Sequence, residues 1–259
     1  MDRYIQRFTV TANDMNNQYR LTPHAVLLYF QDCFARYMSC LHLAAFDLVK
    51  QHQMWIITEF RAEMNPVDVF WTHDLEVTLW VSEISALRFY TEFNICKVSD
   101  RSAVAQGMGC WSLLNTETHR LVPMTDLANR VSVVPELPLG PHKKRRFPQV
   151  GEPIKKVLHT VNLLDLDFNG HMNNRSYLSI AMLTATDTFL AQNRPISFDI
   201  HWMHETFEND VVACELFKVG ERQYVYRLSK SNGDVAAEIF STWESMPIQT
   251  DISEVIERK

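Results

Sequence analysis

Glycine is scarce in this chain, seven in 259 residues, and no Ser/Gly-rich or low-complexity stretch interrupts it. Most of the interior is therefore expected to be regular structure. No uninterrupted apolar run approaches the ~20 residues that a membrane helix needs. The first ten residues, MDRYIQRFTV, are charged and alternating where an export signal needs a continuous apolar stretch. A cytoplasmic location is the expectation. The five cysteines, Cys33, Cys40, Cys96, Cys110 and Cys214, are scattered, odd in number and without a CxxC pair. That argues against a disulfide framework and a structural zinc site, and the thiols read as reduced and mostly buried. GxSxG, GxxxxGK[ST] and HExxH are all missing, and Gly107-Met108-Gly109 lacks the third glycine of a dinucleotide loop. Serine-hydrolase, P-loop, zinc-peptidase and nicotinamide chemistry have no motif support. No metal and no cofactor is expected. A net charge of -6 with pI near 5.9 disfavours nucleic acid as a partner.

What is present is a plan used twice. Pro135, Pro138, Pro141, Pro148 and Pro153, with the basic run His142-Lys143-Lys144-Arg145-Arg146 among them, mark residues 134–153 as an extended linker whose charges face solvent. This divides the chain into 1–133, the linker and 154–259. In the first part, alternation predicts a strand over Tyr4 to Thr11, and apolar spacing predicts one helix from Thr22 to Leu48. Four strands follow, Trp55 to Met64, Asp74 to Glu83, Leu87 to Lys97 and Val104 to Asn115. After the linker come a strand near Ile154 to Leu164, a helix from about Asn173 to Ala191, and strands near Ile196 to Glu205, Val211 to Val219, Gln223 to Ser229 and Val235 to Trp243. Each helix is apolar on most of its surface and must be wrapped. The expected fold is α+β, two tandem hot-dog domains, each an antiparallel sheet around a long central helix.

The most informative segment is Asp165-Leu166-Asp167-Phe168-Asn169-Gly170-His171-Met172-Asn173-Asn174, where the first strand after the linker gives way to the second long helix. Asn173, Asn174 and Asp165 suit helix capping and turns. Asp167, Asn169 and His171 recur at every second position, so an extended backbone would point an acid, an amide and an imidazole to one side, a set able to move protons. His201 and His204, three apart on a predicted strand, point to opposite faces and do not chelate one ion.

The string DLDFNGHMNNRSYL resembles the DxNxHxNN signature of the acyl-acyl-carrier-protein thioesterases, and His204-Glu205 is similar to the block holding that family's second carboxylate. The likeness extends over nearly the whole chain, through Trp55, Trp71, Trp80, Trp111-Ser112-Leu113-Leu114-Asn115 and Thr118-His119-Arg120-Leu121. It implies Asp167, Asn169, His171 and Glu205 as catalytic residues and hydrolysis of fatty acyl thioesters, ending fatty-acid synthesis. The implied partner is an acyl carrier protein bearing a fatty acyl-phosphopantetheine, and a homodimer is the candidate assembly. Acyl-coenzyme A hydrolysis, or acyl-thioester binding without turnover, are the alternatives. Where a Cys-His-Asn mechanism would need a thiol after the second carboxylate, this chain has Thr206, which favours carboxylate and water. The missing plastid transit stretch is what a prokaryotic-type member is expected to show. Glu205 is expected as general base, with His171 and Asn169 orienting water and substrate and Asp167 charging the histidine. Asp167 as base or nucleophile is the competing assignment. N–H groups near Asn173 and Asn174, at the helix start, would face the oxyanion. The first half's junction, Asn13 to Arg20, has no histidine, so chemistry is expected in the second half. The first helix, through Phe30, Phe34, Tyr37 and Met38, is expected to line the acyl pocket.

Overall fold

The computed structural model describes residues 2–124, 127–143 and 145–246, except the side chain of Ala128. Lys144 of the basic run lies outside the described residues. The chain forms two compact units: Met1–Asp14 with Ala25–His142, and Met15–His24 with Lys143–Lys259.

The first unit contains strands β1 (Tyr4–Thr9), β2 (Gln53–Met64), β3 (Asp74–Ile84), β4 (Phe89–Lys97), β5 (Ala103–Asn115) and β6 (Arg120–Val122). Its helices are α1 (Pro23–Cys40) and α2 (Ala45–Leu48). The strands pair antiparallel in the order β1-β3-β4-β5-β2, and β6 adds to β5 through a short hairpin. The second unit holds β7 (Lys155–Thr160), α3 (Asn174–Met182), α4 (Asp187–Gln192), β8 (Asn193–Trp202), β9 (Val211–Gly220), β10 (Gln223–Lys230) and β11 (Val235–Ser245). Its order is β7-β9-β10-β11-β8, the first unit's order repeated strand for strand.

Alternation in β1 and β7 puts every second side chain against the core, as a one-sided sheet demands. Phe30 of α1 meets Phe60, Phe93 and Trp111 at ring-centroid distances of 5.3, 4.9 and 5.7 Å, and Phe34 stacks on Trp111 at 3.7 Å. This approach needs a bare backbone on β5, because a Cβ at Gly109 would lie 2.3 Å from the Phe30 ring. Burying rings of this size holds the helix to the sheet, and truncating one to alanine costs about 3 to 5 kcal/mol. In the second unit α3 packs on β9, β10 and β11 with Tyr177, Leu178, Ile180 and Ala181 buried.

Both long helices break where one continuous helix was expected. α1 stops because His42 turns left-handed (φ 54°) and the Leu43 N–H reaches back to Met38 O, a Schellman-type closure; the Asp47 carboxylate then accepts from Ala44 N at the restart. After α3 the Thr184 hydroxyl bonds Ala181 O, and Thr186 caps α4 by accepting from Phe189 N. β7 also ends earlier than its apolar pattern suggested, since residues Leu163–Asp165 form a 3₁₀ turn.

The proline-rich stretch is not a solvated tether at its start. Val134 N bonds Val81 O, Trp80 Nε1 donates to Glu136 O, and Leu139 packs on Tyr90, Met108 and Cys110. The His142 side chain is 6% exposed, stacked on Tyr90 at 4.1 Å and hydrogen-bonded to Glu92 (2.7 Å) and Glu83 (3.1 Å). The expected solvent-facing basic run therefore begins with a buried side chain, because two carboxylates stand ready to pair with it.

Candidate active site

The polar segment is a tight turn, not the extended stretch its two-residue spacing suggested. Leu166 bridges Met172, Asp167 N donates to His171 O at 2.8 Å, and Gly170 takes φ 79°. Glycine suits that left-handed corner because it has no Cβ to clash there. Asp167 Oδ1 organises the loop by accepting from Asn169 N (2.8 Å) and His171 N (3.3 Å). These bonds reach the backbone of His171 and not its ring. Asn169 is exposed. Asp165 ties the turn to its surroundings. Its carboxylate receives Asn162 N and His159 Nε2, and its carbonyl receives Asn173 N and the Ser176 hydroxyl. Asn173 caps α3 through its side chain, which accepts from Arg175 N, and Asn174 begins the helix.

The structure brings His171 and Glu205 together: Nδ1 to Oε1 is 3.8 Å, with the imidazole 25% and the carboxylate 42% exposed. Glu205 was expected at the end of a strand. β8 stops at Trp202, and Glu205 rides the loop to β9. That loop is fastened at several points. Met172 N donates to Thr206 O, the Tyr177 hydroxyl bonds Thr206 Oγ1 at 3.0 Å, and His171 bridges Phe207, whose ring meets the imidazole edge-on at 5.0 Å. Thr206 is fully buried and engaged, so its hydroxyl has neither the exposure nor the base a nucleophile requires. Tyr177 was not expected at the site. Burial, first, and the charges of Glu205, Asp210 and Asp167 push its phenol up to about 12, against the Thr206 hydrogen bond, so it stays a neutral donor.

The junction after β1, residues 15–21, which falls in the same compact unit as the polar segment, carries the same turn with other side chains. Asn16 Oδ1 accepts from Gln18 N (2.9 Å) and Arg20 N (3.1 Å), Asn16 N donates to Arg20 O, Met15 bridges Leu21, and Tyr19 takes φ 56°. Asn16 stands where Asp167 stands, and Arg20 where His171 stands. Arg20 points to the carbonyls of Leu190 and Asn193.

Phe30, Phe34, Tyr37 and Met38 are all buried in the first unit's core, at 0, 3, 2 and 0% exposure. Among the cysteines only Cys40 is exposed, and burial pushes the Cys33 and Cys214 thiols up to about 12. His201 stacks on Phe147 and lies 3.4 Å from Asp199, while His204 is exposed beyond the strand. Among the described residues no three His, Cys, Asp or Glu side chains gather as a metal site would. No helix among them is long and apolar enough to cross a membrane.

Two matching sheet-and-helix units with one polar junction define a tandem hot-dog protein. Comparison with known proteins narrows this further. Residues 1–129 match the acyl-ACP thioesterase N-terminal domain and residues 151–245 the acyl-ACP thioesterase C-terminal domain. The chain belongs to the acyl-ACP thioesterase family. A curated relative, the chloroplastic acyl-[acyl-carrier-protein] hydrolase FATB3 of Cuphea viscosissima, is 24% identical over 203 residues, which are 73% of this chain and 48% of the relative. The chain thus spans about half the length of the curated relatives it matches. The 12:0-ACP thioesterase of Umbellularia californica superimposes with TM-score 0.81 at 15% identity, covering 94% of this chain and 98% of that one. An acyl-ACP thioesterase from Bacteroides thetaiotaomicron gives 0.78 at 16% identity, covering 93% and 98%. Both likenesses bear out the hot-dog fold.

Proposed function

We propose that this chain hydrolyses fatty acyl-ACP thioesters to free fatty acid and carrier protein, with all chemistry in the second unit. The observation that carries the reading is the pairing of His171 with Glu205 beside the start of α3, at a turn whose copy after β1 has Arg20 in place of the histidine. A thioester needs an activated water and a seat for negative charge on the carbonyl oxygen. Glu205 takes a proton from water as the oxygen attacks the carbonyl carbon, and His171 and Asn169 orient water and acyl group. Asn173 N already serves Asp165 O and Arg175 N serves the Asn173 side chain. The Asn174 N–H is therefore the helix-start donor assigned to the oxyanion, with the helix dipole behind it. Collapse breaks the C–S bond, and the pantetheine thiolate leaves to be protonated.

Asp167 holds the turn with one oxygen and keeps the other for the site. Asn16 builds the same turn without charge, which favours a direct part for the Asp167 charge, either in charging His171 or as the attacking group. Chain-length choice is assigned to the first unit, with Phe30, Phe34, Tyr37 and Met38 at its pocket. Hydrolysis of matched acyl-ACP and acyl-coenzyme A substrates across chain lengths tests the carrier. Glu205→Ala and His171→Ala test the site: each is expected to lower kcat about 100-fold or more while the protein stays folded. Near-normal turnover by both folded variants would remove the pair from the mechanism, and binding of acyl-ACP without turnover by the unaltered chain would make it a sensor.

A further inference from the structure

Resting on the reading of Glu205 as the base, we infer that Lys230 and Asp210 are its positioning residues, acting through the backbone of the loop that carries it. Lys230 Nζ donates to Glu205 O at 3.0 Å and pairs with Asp210 Oδ2 at 3.0 Å. Asp210 Oδ2 also accepts from Phe207 N at 3.0 Å, and the Lys230 ammonium sits 5.5 Å from the Phe207 ring centre. One ion pair thus grips the residue that bears the carboxylate and the residue whose ring borders His171. Both of its grips are on loop backbone, at Glu205 O and Phe207 N.

The duplicated fold supplies a control. Register places Lys97 opposite Leu75 as it places Lys230 opposite Val212, so the two lysines occupy the same point of the two sheets. Likewise, in the loop before β3, Phe70 and His73 exchange the contacts that Phe207 and Asp210 exchange: His73 N bonds Phe70 O, and His73 Nδ1 faces Phe70 N at 3.3 Å. In the first unit the lysine turns instead to Asp100 of its own hairpin, 3.3 Å away. The fold tolerates a histidine at the position of Asp210. Lys230 and Asp210 thus form their pair in the unit that carries His171 and Glu205, which is where a carboxylate must be held in register with its partner.

The test uses the full chain and acyl-ACP. Lys230→Met is expected to lower kcat roughly 10- to 100-fold, the scale of a displacement near 1 Å at a reacting group, with KM nearly unchanged. Lys230→Arg, which keeps the pair with Asp210, is expected to recover most of the loss. Asp210→Asn, which keeps an oxygen for Phe207 N but weakens the ion pair, is expected to lose less than Lys230→Met and serves alone if that variant does not fold. Introduced into Glu205→Ala, Lys230→Met should cost nothing more, because its effect runs through Glu205. Wild-type kcat in Lys230→Met and Asp210→Asn overturns the proposal. So does an equal loss with and without Glu205, which would mark a general structural role. Full activity in Glu205→Ala would instead sink the reading of Glu205 itself, an outcome distinct from the other two.

Discussion

Replacing Asp167 by asparagine separates the building of the turn from its chemistry. The turn takes from Asp167 one acceptor oxygen, bonded to Asn169 N at 2.8 Å and His171 N at 3.3 Å. Asn16 performs the same task at 2.9 and 3.1 Å with an amide oxygen, so Asp167→Asn should fold and melt within about a degree of the unaltered protein. Asp167→Ala removes the acceptor. A hydrogen bond to a charged group contributes about 1.5 to 3 kcal/mol, but one of these two is long and the turn is partly exposed to water. A net loss of about 1 to 2 kcal/mol is therefore expected, or a few degrees in Tm. If the second oxygen takes part in the reaction, both variants lose kcat by about 100-fold or more, and only the alanine variant also loses stability. Thermal melts and single-turnover hydrolysis of acyl-ACP measure the two quantities on the same samples. An asparagine variant with kcat within a few-fold of the parent would refute the reasoning, leaving Asp167 as a turn former whose charge is incidental.

Thiol-directed alkylation should label Cys40 first and leave activity intact, and Cys214→Ser should turn over normally; rapid inactivation on labelling one cysteine in the folded protein would restore a thiol mechanism. Burial of His142 opposes its charge, but the hydrogen bonds to Glu92 and Glu83 outweigh it and raise its pKa above the ordinary 6.5. A raised folded-state pKa contributes stability that is complete below about 6.5 and is lost as pH climbs through the folded value. The Tm gap between the parent and His142→Gln should thus be wider at pH 6 than at pH 8.5, and a gap that grows with pH would contradict the pairing. Phe34→Trp and Met38→Trp should shorten the preferred acyl chain, since each blocked methylene forfeits about 0.8 kcal/mol of substrate binding. If they only lower Tm by overpacking, at about 1 to 3 kcal/mol, with the chain-length profile unmoved, these residues are core and not pocket.

How much of this was legible beforehand follows from the range of each signal. Strands announce themselves through alternation over many residues. All four long strands of the first unit and the last three of the second begin and end within a few residues of expectation. The helix breaks were hidden because apolar spacing persists across them: Leu43 and Leu48 continue the pattern of α1 although His42 has left the helix. β6 spans three residues, too few to carry a period. Burial of the His142 side chain depends on Glu83 and Glu92, 59 and 50 residues earlier and unmarked by any local pattern.

The polar turn is the instructive failure, because its spacing was seen and its cause misread. A period of two suggested an extended backbone with three side chains on one face. The same period arises when a short polar side chain accepts from the N–H groups two and four residues ahead, an Asx-type turn, and the left-handed glycine before His171 was the cue. Laying Asn16, Gln18 and Arg20 against Asp167, Asn169 and His171 would have exposed it, since two segments with one spacing and different chemistry share a backbone before they share a function. The comparison continues beyond the turn. Tyr177 and Thr206 hydrogen-bond within the second unit's core, where the corresponding positions of the first unit hold Val26 and Val69, both buried. A buried polar pair replacing two valines confers little net stability, so its presence in only one copy is better explained by holding Thr206, and with it Glu205, at a fixed height beside His171. At this junction duplication thus separates two kinds of residue: the turn is common to both copies, whereas the Tyr177–Thr206 bond and the His171–Glu205 pair belong to one.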